Sequence, residues 1–369
     1  MAQFEKIPDV RKIAVVRVNG LGDFIFLLPA LDALHAAYPQ AEIVLLGKAW
    51  HAQLLKNRPG PIHRVVVVPT YGGVSEPPGI KEDPAELERF FAAMNKERFD
   101  LALQVHGGGR YSNPFVLRLG SRMTVGLKTP DATPLDRWIP YIYFQPEILR
   151  YLEVVSLVDA QPVGLEPHLE VIQEDLDEAQ RVVDTEWPSD ALIALHPGAG
   201  DPRRRWPPEK FAAVGDALAA AGAKVVVIGT SGERHLAEAV INTMKAPAQN
   251  ICGCISLGGL AGLFSRCRVV VSNDSGPLHL AGAVGAATVG IYWCFNLINA
   301  GPLTRARHRS ASSWRLECPI CGVNCLTSSC NHHDSFVADI PVEEVTEPAL
   351  DLFYNQYTNG LPSANTTLQ

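Results

Sequence analysis

The sequence predicts an α/β protein made of two open parallel-sheet domains, one after the other, facing each other across a cleft. Three observations lead there. The chain has 369 residues, more than one ordinary core accommodates. Short apolar β-type runs alternate with helical stretches, the rhythm of strands covered on both faces. That rhythm breaks once, in a proline- and aromatic-rich stretch, and then restarts.

In the first half, Ile13–Val18 (IAVVRV) reads as a strand, followed by the turn NGLGD. FIFLLPALDALHAAY reads as a helix that its proline bends or restarts. AEIVLL, RVVVV, FDLALQV and RMTVGL read as further strands, with DPAELERFFAAMNKE as a helix among them. TPDATPLDRWIPYIYFQPE then interrupts the pattern. Its Trp138, Tyr141, Tyr143 and Phe144 either meet an acceptor or a membrane surface, or pack inward. The helix ILRYLEVVSLVDA leads to a boundary placed between residues 160 and 185. In the second half, strands are expected at ALIALHPG, AKVVVIG, NICG, RVVVSN and AATVGIYW. Helices between them serve as crossovers. The reading divides the chain into domains 1–170 and 171–345, with 346–369 as a helix end and polar tail.

Hydrophobic residues at 47% and charged residues at 19% fit a globular protein. A net charge of −7 argues against a general nucleic-acid binder. The N-terminus has no apolar signal core, and no apolar run approaches the roughly 18 residues that span a bilayer, so the expected compartment is the cytoplasm. There the eight cysteines are expected as thiols or metal ligands rather than disulfides.

Ligands of such domains sit beyond the carboxyl ends of the strands, and four turns there carry chemistry. In VNGLGDF, Gly20 and Gly22 precede Asp23 at a helix start. Asp23 either caps that helix or takes a proton from an attacking hydroxyl. In HPGAGDPRRRWPP, Gly198 precedes Arg203, Arg204 and Arg205. They form either a solvated basic loop or forked donors for a phosphate. In GTSGE, Glu233 either serves its helix or takes sugar hydroxyls. In SNDSGPLH, Asp274 or Ser275 can cap a helix, Pro277 suits its first turn, and Gly276 lets a ligand approach the backbone. His279 follows in that turn, beside amides that point outward. Asp175-Leu176-Asp177 is the one D-x-D weighed as a metal motif. It lies in a stretch expected to be an exposed helix, so protein charge rather than Mg²⁺ is expected to stabilise a leaving diphosphate.

Taken together, NGLGD with PAL, HPGAGDPRRRWP and DSGPLH resemble the ADP-heptose:lipopolysaccharide heptosyltransferase family, inverting glycosyltransferases of the GT-B fold, over about Lys12 to Val345. The resemblance implies two Rossmann-like α/β/α domains, the first binding the acceptor and the second the nucleotide sugar, which in the family is ADP-heptose. It implies Asp23 as the base, and donor contacts at Gly22, Gly198, Arg204, Arg205, Glu233, Asp274, Ser275, Gly276, Pro277 and His279. Arg204 stands where the family usually has Lys, so a forked guanidinium replaces a point charge. It implies sugar transfer to a hydroxyl of a lipopolysaccharide core, or of another glycan, glycolipid or secondary metabolite. Peripheral contact with the inner membrane would follow, and no cofactor would be needed for catalysis. A nucleotide-sugar epimerase or a non-catalytic nucleotide-sugar binder would use a similar cleft.

ECPICGVNCLTSSCNHHD places Cys318, Cys321, Cys325 and Cys330 close together in sequence. They are read as a candidate structural site for zinc or iron, the alternative being free thiols or a redox-sensitive clip.

Overall fold

The computed structural model describes residues 4–183 and 191–355. The expected tail beyond 355 lies outside the described residues. The chain divides into two compact units, 1–172 with 298–303, and 173–297 with 304–369.

Unit 1 holds β1 (Lys12–Val16), β2 (Glu42–Gly47), β3 (Arg64–Val67), β4 (Leu101–Gln104), β5 (Met123–Lys128) and β6 (Arg137–Pro140). They form one parallel sheet in the order β3-β2-β1-β4-β5-β6. The central strands are buried at nearly every position, because helices cover both faces. The first helix runs Leu21–Ile25, and a second starts at Leu28 with Pro29 in its first turn, where a missing N–H costs nothing. Asp83 caps helix Pro84–Glu97 by accepting the amides of Ala85 and Glu86. The proline- and aromatic-rich stretch contains β6, an edge strand that the break in rhythm concealed. Trp138, Tyr143 and Phe144 are exposed there, so inward packing does not hold for them.

Unit 2 holds β7 (Leu192–His196), β8 (Lys224–Val227), β9 (Ala248–Asn250), β10 (Val269–Asn273), β11 (Ala287–Trp293) and β12 (His308–Ser313). The order β12-β11-β10-β7-β8-β9 is again parallel throughout. Counted within the unit, both sheets follow the same 3-2-1-4-5-6 order. β9 lies slightly ahead of the expected NICG. β12 escaped sequence reading because its HRSASS buries only alternate side chains at the sheet edge.

Helix Gln173–Val182 packs on helix Leu257–Arg266, and Asp175 is buried there rather than exposed. Gly262 makes that approach possible, since a Cβ there would overlap the Asp175 carbonyl. The core of this unit is built on Trp206, Phe211 and Phe336, closed by the C-terminal helix Glu343–Tyr354.

Candidate active site

In an open sheet of this order, the strand direction of travel reverses between two central strands, and a crevice opens at their carboxyl ends. That switch point falls between β1 and β4 in unit 1, and between β7 and β10 in unit 2.

At the first switch point, β1 runs into Arg17, a buried cation. Its Nη1 donates to the Val105 carbonyl at 2.6 Å, and its Nη2 to Asp23 Oδ1 at 2.8 Å. Asp23 Oδ2 accepts the Gly20 amide at 3.1 Å, so the carboxylate does close its own helix turn. The Asp23 side chain nevertheless remains 39% exposed, while Arg17 beneath it is 3% exposed. Arg17 Nη2 also lies 3.4 Å from Glu147 Oε2, and Glu147 pairs in turn with Arg150. Burial pushes the Glu147 carboxyl up, with Arg17 and Arg150 pulling against it and Asp23 adding to it. Arg150 also covers the Tyr141 ring.

Beside Asp23, the turn after β4 reads His106-Gly107-Gly108-Gly109-Arg110. His106 Nδ1 accepts the Val18 amide at 3.3 Å. Burial, helped by Arg17, holds this imidazole neutral with a pKa of about 3. Gly107 and Gly109 have φ of +63° and +93°, a backbone region where a side chain would be strained. A Cβ on Gly108 would press on Thr129 and leave less room beside Tyr141. This turn, with Asn19, Thr129, Asp131 and Tyr141, lines an open bowl of about 330 Å³. Sequence reading passed over Arg17, Glu147 and the HGGGR turn. The last carried a usable signal, a glycine-rich turn directly after an apolar strand.

At the second switch point, Asn273 ends β10 and ties it to the turn after β7. Its Nδ2 donates to the Pro197 carbonyl at 2.8 Å, and its Oδ1 accepts the Trp206 amide at 3.0 Å. Asp274 is buried, with Oδ2 taking Arg204 Nη1 at 2.9 Å and Oδ1 lying 3.1 Å from His279 Nε2. Burial opposes its ionisation, but His279 and Arg204 hold the carboxyl below its usual range. Asp274 therefore acts as the bracket for two donor side chains rather than as a helix cap. Ser275 does not cap by its side chain either, because its Oγ faces His196 Nδ1 at 3.1 Å and the Asn273 carbonyl. Helix Gly276–Ala283, opened by Pro277, thus presents its first turn without a side-chain cap.

Glu233 stands beside this crevice. His196, 3.9 Å away, together with the Thr230 amide and hydroxyl, holds its carboxyl down at about 2. Gly198 makes room for it, since a Cβ there would overlap Glu233 Oε1. The three arginines separate in role. Arg203 pairs with Asp201, and Arg205 turns back on the Ala199 carbonyl, which leaves Arg204 as the one bracketed by Asp274. Gly22 belongs to unit 1, in helix Leu21–Ile25, while the other expected donor residues belong to unit 2.

The cysteine cluster differs from expectation. Ligand atoms of Cys318, Cys321, Cys330 and His332 lie within 4.8 Å of one another, and Cys325 is not among them. The Cys318–Val323 turn curls through Gly322 at φ +71°, so that the amides of Cys321 and Ile320 donate to Cys318 and that of Val323 to Cys321. Burial opposes ionisation of the Cys318 thiol, but the Cys321 and Ile320 amides and the thiols of Cys321 and Cys330 hold it down at about 7. Cys325 leaves the cluster because its amide pairs with the Leu316 carbonyl and its thiol turns to Val323. His332 Nδ1 is buried without a hydrogen-bond partner. Three thiols and an orphaned imidazole nitrogen suit tetrahedral zinc or iron, with bonds of about 2.3 Å to sulfur.

The profile of glycosyltransferase family 9 (heptosyltransferase) matches residues 87–322. Lipopolysaccharide heptosyltransferase 2 of Escherichia coli K12 is 26% identical over 303 residues, covering 76% of this chain and 82% of that protein. Among solved structures, a family 9 glycosyl transferase from Veillonella parvula superposes with a TM-score of 0.78 at 22% identity, over 95% of this chain and 99% of that one. The E. coli ADP-heptose LPS heptosyltransferase II gives 0.69 at 20% identity, over 93% and 98%. The iron-containing dodecameric glycosyltransferase TibC of enterotoxigenic E. coli gives 0.54 at 12% identity, over 94% and 77%. The shared fold is GT-B.

Proposed function

We infer the reaction from membership: this chain belongs to glycosyltransferase family 9 and is a glycosyltransferase, and we propose that it moves a heptose from ADP-heptose to a hydroxyl of a lipopolysaccharide-core acceptor. The observation that carries the reading is the pair of switch points, one offering a half-exposed carboxylate, the other a bracketed cation beside an uncapped helix start. Membership sets aside the epimerase and the non-catalytic binder.

The donor diphosphate rests on Arg204, His279 and the first-turn amides, with Glu233 taking hydroxyls of the ribose or sugar. Asp274 holds Arg204 and His279 in place. The acceptor lies in the bowl beside Asp23. Its hydroxyl gives its proton to the Asp23 carboxylate as its oxygen attacks the anomeric carbon. The carbon–oxygen bond to the diphosphate breaks, ADP leaves with the bonding pair, and the configuration inverts. Arg17 fixes the carboxylate's orientation.

Cys318, Cys321, Cys330 and His332 would hold a structural zinc or iron, which would supply cross-linking of the loop and no step of transfer. Among the described residues, no helix is long and apolar enough to cross a membrane. The exposed Trp138, Ile142, Tyr143 and Phe144 support peripheral contact with the membrane that carries the acceptor, on its cytoplasmic side.

Asp23→Asn tests the reading. Transfer from ADP-heptose should fall about 10³-fold, while ADP binding measured by calorimetry stays intact. Transfer at the native rate would refute the base, and failure of the native chain to bind ADP would refute the donor site.

A further inference from the structure

The donor loop of unit 2 is held from behind by the segment that leaves the cysteine cluster. Phe336 donates its amide to the Arg203 carbonyl at 2.8 Å. Three residues on, Trp206 Nε1 donates to the Ile340 carbonyl at 3.1 Å. Lys210 Nζ clamps the same stretch, at 2.9 Å from the Ala338 carbonyl and 2.8 Å from that of Ile340. Arg204 therefore sits between two residues whose positions are set by the strap 336–340. The strap is anchored by Phe336, Val337 and Ile340, all fully or nearly buried, with Phe336 against Trp293. Trp293 reaches the other side of the cluster through its Nε1 bond to the Arg315 carbonyl at 2.7 Å.

Upstream, the picture changes. His332 lies four residues before Phe336, and the intervening His333 and Asp334 are exposed. Between Cys318 and Cys330 the chain is also largely exposed, with apolar Ile320 and Leu326 facing outward. Backbone bonds hold the base of this loop, Cys318 to Val323 and Cys325 to Leu316, and cross-linking at Cys318, Cys321, Cys330 and His332 would tie its exposed remainder to that base.

We propose that metal binding at this cluster sets the affinity of the donor site, by fixing the strap that positions Arg204. The proposal rests on the reading of the second switch point as the donor site. Lys210 and Phe336 are positioning residues, since they act through the loop and not on the donor.

The test uses the full chain and ADP as the probe. Protein loaded with zinc or iron, stripped by chelator, and reloaded is titrated with ADP by calorimetry, with metal content followed by elemental analysis. Stripping should weaken ADP binding about tenfold, a usual size for coupling between two sites, and reloading should restore it. Lys210→Met in the loaded protein should weaken ADP binding several-fold with unchanged metal content, and stripping this variant should then cost less than about twofold more. His332→Cys should keep both metal and ADP affinity. If stripping unfolds the chain, loaded Lys210→Met decides: native ADP affinity there overturns the proposal. So does equal ADP affinity in stripped and loaded protein, or a chain that takes up neither metal. Arg204→Ala separates the two levels. If it binds ADP as the native chain does, the donor-site reading has failed. If it loses ADP while stripping changes nothing, only the coupling has failed.

Discussion

At the first switch point, the charged groups are wired to one another: Arg17 spans Asp23 and Glu147, Arg150 closes the chain, and a carboxylate is what faces outward. At the second, a buried carboxylate is consumed in holding Arg204 and His279, and cationic and amide donors face outward. His106 is locked neutral beneath its turn, whereas His196 stands among Ser272, Ser275 and Glu233. The same strand order thus locates two crevices, and the loop residues give them opposite chemical character. One can accept a proton; the other can receive an anion.

Three changes bear on that difference, in decreasing order of expected effect. Arg17→Met would leave buried Glu147 short of a cation and the Val105 carbonyl without its donor. Unit 1 should lose about 3 kcal/mol, as when one partner of a buried ion network is removed. Hydrogen exchange of amides in each unit reads this out, and an equal loss in unit 2 would erase the distinction between the two crevices. Asp274→Asn should weaken ADP binding about 30-fold, close to 2 kcal/mol, while exchange in unit 1 stays unchanged. Unaltered ADP affinity would show that bracketing Arg204 and His279 does not matter.

The smallest effect is one of pH. Burial holds His51 and His106 of unit 1 at about 3, far below the ordinary 6.5. Between those values the unfolded chain takes up protons that the folded one refuses, so unit 1 loses stability as pH falls below 6.5, by of order 1 kcal/mol per pH unit from each histidine. Glu233 of unit 2, at about 2 against 4.5, contributes stability that is whole above 4.5 and fades only from there toward 2. Lowering the pH from 7 to 5 should therefore lower the protection factors of amides, rates being corrected for intrinsic exchange, more in unit 1 than the Glu233 contribution lowers them in unit 2. His106→Gln should reduce that pH response.

Much of this was legible in the residues. Apolar runs such as VVVSN and LIALH marked central strands, and strand-to-helix turns marked Asp23, Arg204, Glu233 and the 274–279 segment. Two of the edge strands, β6 and β12, were not legible, because they bury too little to show an apolar pattern. Locally, Asp274 reads as a helix cap or a donor contact, since nothing nearby in sequence reveals that Arg204, 70 residues away, occupies it. The cysteine cluster was only partly legible for the same reason. Spacing nominated Cys325, but the turn through Gly322 sends its thiol away and admits His332.

The sequence by itself determined where the central strands end and that the turns after them carry Asp23, Arg204, Glu233 and the 274–279 segment, because periodicity and turn chemistry are local properties of the chain. Only the tertiary structure decided which of those side chains are spent on one another and which remain to meet a ligand. Burial and partnership depend on residues brought together from 70 or more positions apart, as Arg17 with Val105 and Arg204 with Asp274 show.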